Sequence, residues 1–246
     1  MITMRRAAER HHARRLRRDI WLTFRADDHA DPLAAGFGVL QVLNETLLPP
    51  GAAAAFHPHH EAEVVSYVLE GALAYEDSTG RAGVIRAGEF ERRTTGRGVR
   101  YSETNPSRTD WTRVFQMALH PSRRALEPRQ DQKRFSAAQR SGLLCAVASP
   151  DGRAGSLRID PDVVIYSALL AVGQHLVHEL APGRCGWLHV VRGEVALVDA
   201  VLTSGDGAGV AAERVVSLTA REETELLLLD LAAGRPLLSQ SSRERD

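Results

Sequence analysis

Short hydrophobic runs, alternating with polar residues or rich in β-branched side chains, recur at roughly ten-residue intervals along the chain. They fall at 38–43, 64–69, 72–76, 84–86, 114–119, 163–170, 188–191, 195–198, 215–218 and 225–230. Turn-forming stretches such as Pro49-Pro50-Gly51, Gly96-Arg97-Gly98, Pro150-Asp151-Gly152 and Gly205-Asp206-Gly207 separate them. This pattern predicts many short antiparallel strands in sandwiches or barrels, and not alternating strand–helix units. Helix is scarce, and 122–126 and 136–141 are the best short candidates.

The chain also repeats itself. Residues 67–90, YVLEGALAYEDSTGRAGVIRAGEF, align with 189–207, HVVRGEVALVDAVLTSGDG, so that Gly71 matches Gly193 and Gly88 matches Gly205. In both copies a strand meets a glycine turn, a second strand runs out, and a third ends at glycine followed by an acid. Two copies of one supersecondary unit predict two tandem β-barrels. The Arg-, Pro- and Gln-rich stretch 121–133 is the expected boundary, giving domains 1–125 and 126–246.

Composition changes this picture little but excludes several functions. Lys plus Arg and Asp plus Glu are both 31, so no net field draws the protein to nucleic acid or to anionic lipid. Cys145 and Cys185 stand alone, with no CxxC, which excludes a zinc knuckle and suits a reduced, cytoplasmic setting. No apolar stretch reaches the roughly 18 residues of a membrane span. Seven arginines crowd residues 1–18, but Glu9 interrupts them and no apolar core follows. A solvated basic edge, with His11 and His12 in water, is expected there.

Candidate chemistry concentrates at Gly51-Ala-Ala-Ala-Ala-Phe-His57-Pro-His59-His60-Glu61-Ala-Glu63. On a strand His57 and His59 point the same way, and Glu61 and Glu63 follow if the strand continues. Two such imidazoles can converge on one metal ion about 2 Å from each ring nitrogen. By the same alternation Tyr101 and Glu103 face together. Gly96-Arg97-Gly98 lacks a following helix and is read as a turn, not a phosphate loop.

These residues resemble the two-part signature of the cupin superfamily, G-x5-H-x-H-x3-E followed by x-G-x2-(H)-x3-N. More particularly, FHPHHEAEVVSYVLEGALAYEDSTG, GVIRAGEFERRTTGRGVRYSETNPSR, ASPDGRAGSLRI and LAPGRCGWLHVVRGEV are similar to the pirin family of bicupins. The resemblance implies an all-β fold of two tandem cupin barrels. It also implies one divalent or trivalent transition metal, iron first, held by three histidines and a glutamate in the N-terminal barrel. Several bacterial pirins oxidise flavonols such as quercetin with dioxygen. Carried over by position, the ligands are His57, His59 and Glu103, with Glu103 as ligand or proton acceptor. The third histidine is replaced by Tyr101.

That departure sets the expectations. His57, His59 and Glu103 still make a two-histidine, one-carboxylate set. Tyr101 is itself a candidate ligand, since a phenolate can bind ferric iron, but its proton must leave a group with a pKa of about 10. A neutral Tyr101 would only fill the vacated space, and the metal would then be held weakly or be absent. Glu63 is the rival carboxylate, expected to orient a histidine; His60 is expected at the rim. Arg93 needs a buried partner, Glu91 or Glu103. Phe56, Tyr67, Tyr101 and Met117 are candidate pocket walls. Near Glu179, Ala181, Leu218 and Ala220 the second barrel has no ligands, and His175, His178 and His189 read as surface or satisfied structural residues. Three functions compete: a metal-dependent oxygenase of a small aromatic substrate, a regulatory protein acting through protein partners, and a metal-free bicupin binding a small organic ligand. A monomer is expected, with no nucleic-acid or membrane partner.

Overall fold

The computed structural model describes residues 1–15 and 17–233. Twelve strands form the first part: β1 (Ile2–Arg5), β2 (His11–Arg15), β3 (Arg18–Leu22), β4 (Leu40–Leu48), β5 (Ala53–His59), β6 (Glu63–Glu70), β7 (Ala72–Asp77), β8 (Ala82–Arg86), β9 (Glu89–Thr94), β10 (Val99–Thr104), β11 (Thr112–Leu119) and β12 (Arg129–Arg134). After a single-turn helix α1 (Ala137–Arg140) come β13 (Cys145–Ser149), β14 (Leu157–Arg158), β15 (Val163–Leu170), β16 (His175–Glu179), β17 (Arg184–Arg192), β18 (Glu194–Leu197), β19 (Ala200–Thr203), β20 (Gly207–Val210), β21 (Val215–Ala220) and β22 (Thr224–Ala232). No helix among the described residues is long and apolar enough to cross a membrane.

Each half pairs a seven-stranded sheet with a four-stranded one. The first half has β12-β9-β6-β11-β4-β3-β2 over β5-β10-β7-β8, and the second has β1-β20-β17-β22-β15-β13-β14 over β16-β21-β18-β19. The strand orders coincide except at the outer edge, where β2 is antiparallel to β3 but β14 is parallel to β13, so the repeat seen in the sequence is a repeat of whole cupin barrels. Its glycines are fixed by the same contact. Gly71 and Gly193 both have positive φ, and a Cβ there would lie 2.5 Å from Trp111 O in one half and 2.3 Å from Glu223 O in the other.

The halves exchange edge strands. β1 pairs with β20 of the second barrel, and β12 pairs with β9 of the first. Each barrel therefore takes its last sheet neighbour from the segment that leads into the other, which protects two edges that would otherwise be open. In the arginine-rich start His11, His12, Arg14 and Arg15 are exposed, as expected of a solvated edge, but Arg5, Arg6 and Arg10 are held by carboxylates. Arg6 pairs with Asp206 at 3.0 Å and Arg10 with Glu45 at 2.8 Å, and Arg5 is bonded to Asp31.

The helix expected at 136–141 forms, with Ser136 Oγ accepting from Gln139 N. The one at 122–126 does not. Its amides are taken elsewhere: Ser122 N and Arg123 N donate to Asp160 Oδ2, Ala125 N donates to Glu61, and Ala125 sits at φ +53°.

The two large sheets pack face to face. Val65, Tyr67, Phe115 and Met117 of the first meet Trp187, Leu227, Leu229 and Leu231 of the second in one apolar cluster. Alternation on β22 sends Leu226 and Leu228 the other way, into the second barrel, which is filled by Val190, Val195, Leu202 and Leu218. The second barrel is thus a packed scaffold. Its predicted strand 225–230 is buried as expected, whereas 215–218 buries Val216 and Leu218 and leaves Val215 exposed, and His178 is satisfied by Asp230 at 2.8 Å.

His189 differs from expectation: it is fully buried, and neither ring nitrogen has a partner. It lies on the inter-sheet face of β17, edge-on to Phe115 at 5.6 Å. Burial, then Arg10 and Arg113, push its pKa down to about 3. The native state therefore excludes a proton that the unfolded chain accepts near pH 6.5, and stability falls as pH drops from about 6.5 toward 3. Urea unfolding across that window should show His189→Leu losing about 1.4 kcal/mol less per pH unit than the wild type. Parallel pH profiles for the two proteins would refute this role.

Candidate functional site

The first barrel keeps polar groups inside. His57 and His59 lie on β5, and Tyr101 and Glu103 on the neighbouring β10, where Tyr101 is paired with His57. A β-bulge intervenes between Tyr101 and Glu103, leaving Ala55 and Phe56 both exposed on β5. It resets the alternation, so Ala54, His57 and His59 all point inward, and the bulge re-aims the histidine pair. His57 Nδ1 lies 2.9 Å from Ala55 O within it, which leaves Nε2 as the free nitrogen.

The four candidate side chains are gathered at one place. The His57 and His59 ring centroids are 4.6 Å apart, and Tyr101 stacks on His59 at 4.2 Å and 11°. His59 Nε2 is buried without a partner. Burial first, then His57 and Arg93, push its pKa down to about 4, so the ring is neutral and its nitrogen has a lone pair to give. Glu103 is buried, and its Oε1 accepts from Gln116 Nε2 at 2.9 Å. Burial and the charge of Glu103 raise the Tyr101 pKa well above its ordinary value, so Tyr101 is a neutral phenol.

Arg93 occupies the remaining space. Its guanidinium carbon lies 3.9 Å from the Tyr101 ring centroid, a cation–π geometry. Of the two carboxylates open to it, it takes Glu91, at 2.6 Å, and Gln130 donates to the same oxygen at 2.7 Å. Burial works against the Arg93 charge, but Glu91 and Glu103 outweigh it and raise its pKa. Glu103 is therefore left without a direct arginine partner.

These donors fit a transition-metal ion in kind: two imidazoles, that of His59 neutral with an orphaned buried nitrogen, beside a buried carboxylate. As arranged they fall short. Among the described residues no three His, Cys, Asp or Glu side chains surround a common point. Tyr101 fills the space between rings, and Gln116 holds Glu103 to one side.

Several expectations need correction. Glu63 does not support a histidine. Glu61 takes φ +48° and breaks the strand, so Glu63 restarts on β6 with the parity of Val65 and Tyr67, facing the second half. Tyr67 and Met117 lie on that same inter-sheet face and are not pocket walls, whereas Phe56 lines the adjoining cavity and Tyr101 stacks on His59. His60 is at the rim, with Nδ1 3.4 Å from Arg97 O. The signature residue Asn105 is structural: its buried amide donates to Leu48 O, Pro49 O and Asp110 O. Alternation on β11 could have revealed Gln116, but nothing in the motif pointed to the β2–β3 hairpin, which adds Arg15, Arg18 and Ile20 to a cavity of about 740 Å³ ending at His57 and Glu103.

The family model described as pirin matches residues 3–119, and the one described as quercetinase C-terminal cupin domain matches 146–231. A quercetin 2,3-dioxygenase of Escherichia coli K12 is 37% identical over 231 residues, covering 94% of this chain and 99% of that protein. A pirin-like protein of Caulobacter vibrioides is 32% identical over 82% of this chain and 87% of its own length. The crystal structure of YhhW from Escherichia coli superposes with a TM-score of 0.90 at 36% identity, over 96% of this chain and all of that one. The structure of bacterial pirin YhhW in complex with nickel(II) gives 0.89 at 35%, over 95% and 100%.

Glu63 offers a clean separation of structure from chemistry. Both carboxylate oxygens are buried with no hydrogen-bond partner, and burial pushes the pKa up to about 7. Unlike an ordinary carboxylate, it weakens the fold as pH rises from about 4.5 through 7, because the native state must then bury the charge. Glu63→Gln should raise stability in urea by about 1–3 kcal/mol at pH 8, less at pH 5, with metal content unchanged. Loss of bound metal in this variant would return Glu63 to the site.

Proposed function

The chain belongs to the pirin family of cupin proteins, and from that premise we propose that it is an oxygenase of the quercetin 2,3-dioxygenase type acting on a planar enolic aromatic, with a transition metal at a weakened site. The observation that carries the reading is the buried, unpartnered and neutral Nε2 of His59 beside His57, a lone pair with no protein donor to satisfy it. His57, His59 and Glu103 would hold the ion. Its contribution is acidification of a coordinated substrate hydroxyl.

The chain's own groups do the rest. Ala55 O fixes the His57 tautomer and ring. Gln116 orients Glu103, whose second oxygen is free to take the substrate's hydroxyl proton as a general base. Tyr101 stays protonated and supplies a flat wall, while Ile20, Leu48, Phe56 and Val114 offer apolar surface for an aromatic ring. A second reading, a metal-free bicupin binding a similar ligand, is favoured by one specific observation. The charged Arg93 guanidinium, stacked on Tyr101, acts electrostatically on His59 and opposes a further cation there.

Metal analysis decides between them. After incubation with Fe(II) or Ni(II) and desalting, inductively coupled plasma mass spectrometry should find sub-stoichiometric metal in the wild type, at least about tenfold tighter binding in Tyr101→His, and none in His59→Ala. Quercetin consumption under oxygen should follow the same order. Identical metal content in all three proteins would remove the oxygenase reading, and a wild type that takes up no metal would establish the second.

A further inference from the structure

The cavity that ends at His57 and Glu103 has a mouth of opposite character, and we propose that Arg15 and Arg18 make it a receptor for planar aromatic acids, the carboxylate held at the mouth and the ring directed inward. This rests on the reading above only for where the cavity leads. The two arginines are Cα partners across the β2–β3 hairpin, which lies outside the repeated barrel and packs along β4. Both line the cavity with Ile20, Asn44 and Thr46.

Their freedom sets them apart from their neighbours. Arg5, Arg6 and Arg10 are each bonded to a carboxylate, whereas Arg15 and Arg18 form no ion pair among the described residues. Arg18 Nε is sheltered from solvent with no partner, and so is Asn44 Oδ1 on the same wall. Sheltered polar atoms without partners are uncommon unless a ligand or solvent completes them. Two guanidinium groups side by side match a carboxylate in shape and charge.

The rest of the cavity fixes the orientation. Its waist is Ile20, Leu48, Ala54, Phe56 and Val114, which suits a flat ring and offers an ion nothing. Its inner end presents the Glu103 carboxylate, which repels an anion. An acid therefore enters with its hydroxylated or apolar edge first. A volume of about 740 Å³ accommodates two or three fused rings.

Isothermal titration calorimetry with 2-naphthoate and its neutral isostere 2-naphthamide tests this without invoking metal or turnover. In 50 mM salt the full-length wild type should bind the acid roughly tenfold tighter than the amide, as expected for a charge-assisted guanidinium contact. The preference should fall to about twofold or less in Arg18→Gln, and weaken in the wild type as salt rises toward 0.5 M. Arg18→Lys should restore part of it, and amide affinity should not change. Equal affinity for acid and amide, a preference that survives in both Arg15→Gln and Arg18→Gln, or failure of both compounds to bind would overturn the proposal. Quercetin titrated alongside keeps the readings apart: naphthoate discrimination without quercetin binding would reject only the flavonol substrate.

Discussion

Face-to-face packing of the two seven-stranded sheets is the constraint from which the rest of the structure follows. Once β6, β9, β11, β17 and β22 each give one face to the inter-half cluster, only the other face is left to line a barrel. Residues with the parity of Val65 on β6 or Phe115 on β11 are committed to joining the halves. Those with the parity of Glu91, Arg93 or Gln116 are committed to the cavity. The exchange of β1 and β12 locks the arrangement, because neither large sheet is complete without a strand from the other half's leading segment.

The two interiors diverge under this common frame. The second barrel is filled mainly by leucine and valine, and its His178 and Asp230 are taken up by one another. The first contains His57, His59, Glu91, Arg93, Tyr101 and Glu103 in a space where desolvation is costly. Each charge there needs a local answer. Glu91 and Arg93 answer one another, Gln130 and Gln116 each satisfy one carboxylate oxygen, and the histidine is kept neutral. Tyr101 fits this economy, since a neutral phenol puts its ring against His59 and provides the π face on which Arg93 rests.

Much of this was legible in the sequence, and for definite reasons. Period-two alternation and the glycine-anchored repeat gave the two barrels, because glycine at 71 and 193 is dictated by backbone approaching at under 3 Å. The inward pairing of His57 with His59 and of Tyr101 with Glu103 followed from the same alternation. What alternation could not supply was its own interruptions. The bulge before His57 and the left-handed Glu61 each reset the count, and the second moved Glu63 to the opposite face. Nor could local pattern show contacts over long separation: the helix expected at 122–126 is undone by Asp160 and Glu61, and Gln130 reaches Glu91 only because β12 joins the first barrel's sheet.

The charges of the first barrel are ordered along its depth, and this ordering bears on both readings of its function. At the mouth stand Arg15 and Arg18, at the inner end the Glu103 carboxylate with His57 and His59, and beyond the Tyr101 ring the Arg93–Glu91 pair. Glu103 lies between cationic groups on two sides, with Gln116 and not an arginine as its direct partner. Such a group can act in either of two ways with no change of fold: it can complete a weak metal set with His57 and His59, or it can serve as a base toward a hydroxylated ring. Which one prevails depends on how far the Arg93 charge penalises a second cation, and that charge is anchored by Glu91 from a strand that belongs to neither half of the histidine–carboxylate motif. That anchor stands on β9, between the two parts of the cupin signature that supply the histidines and the carboxylate.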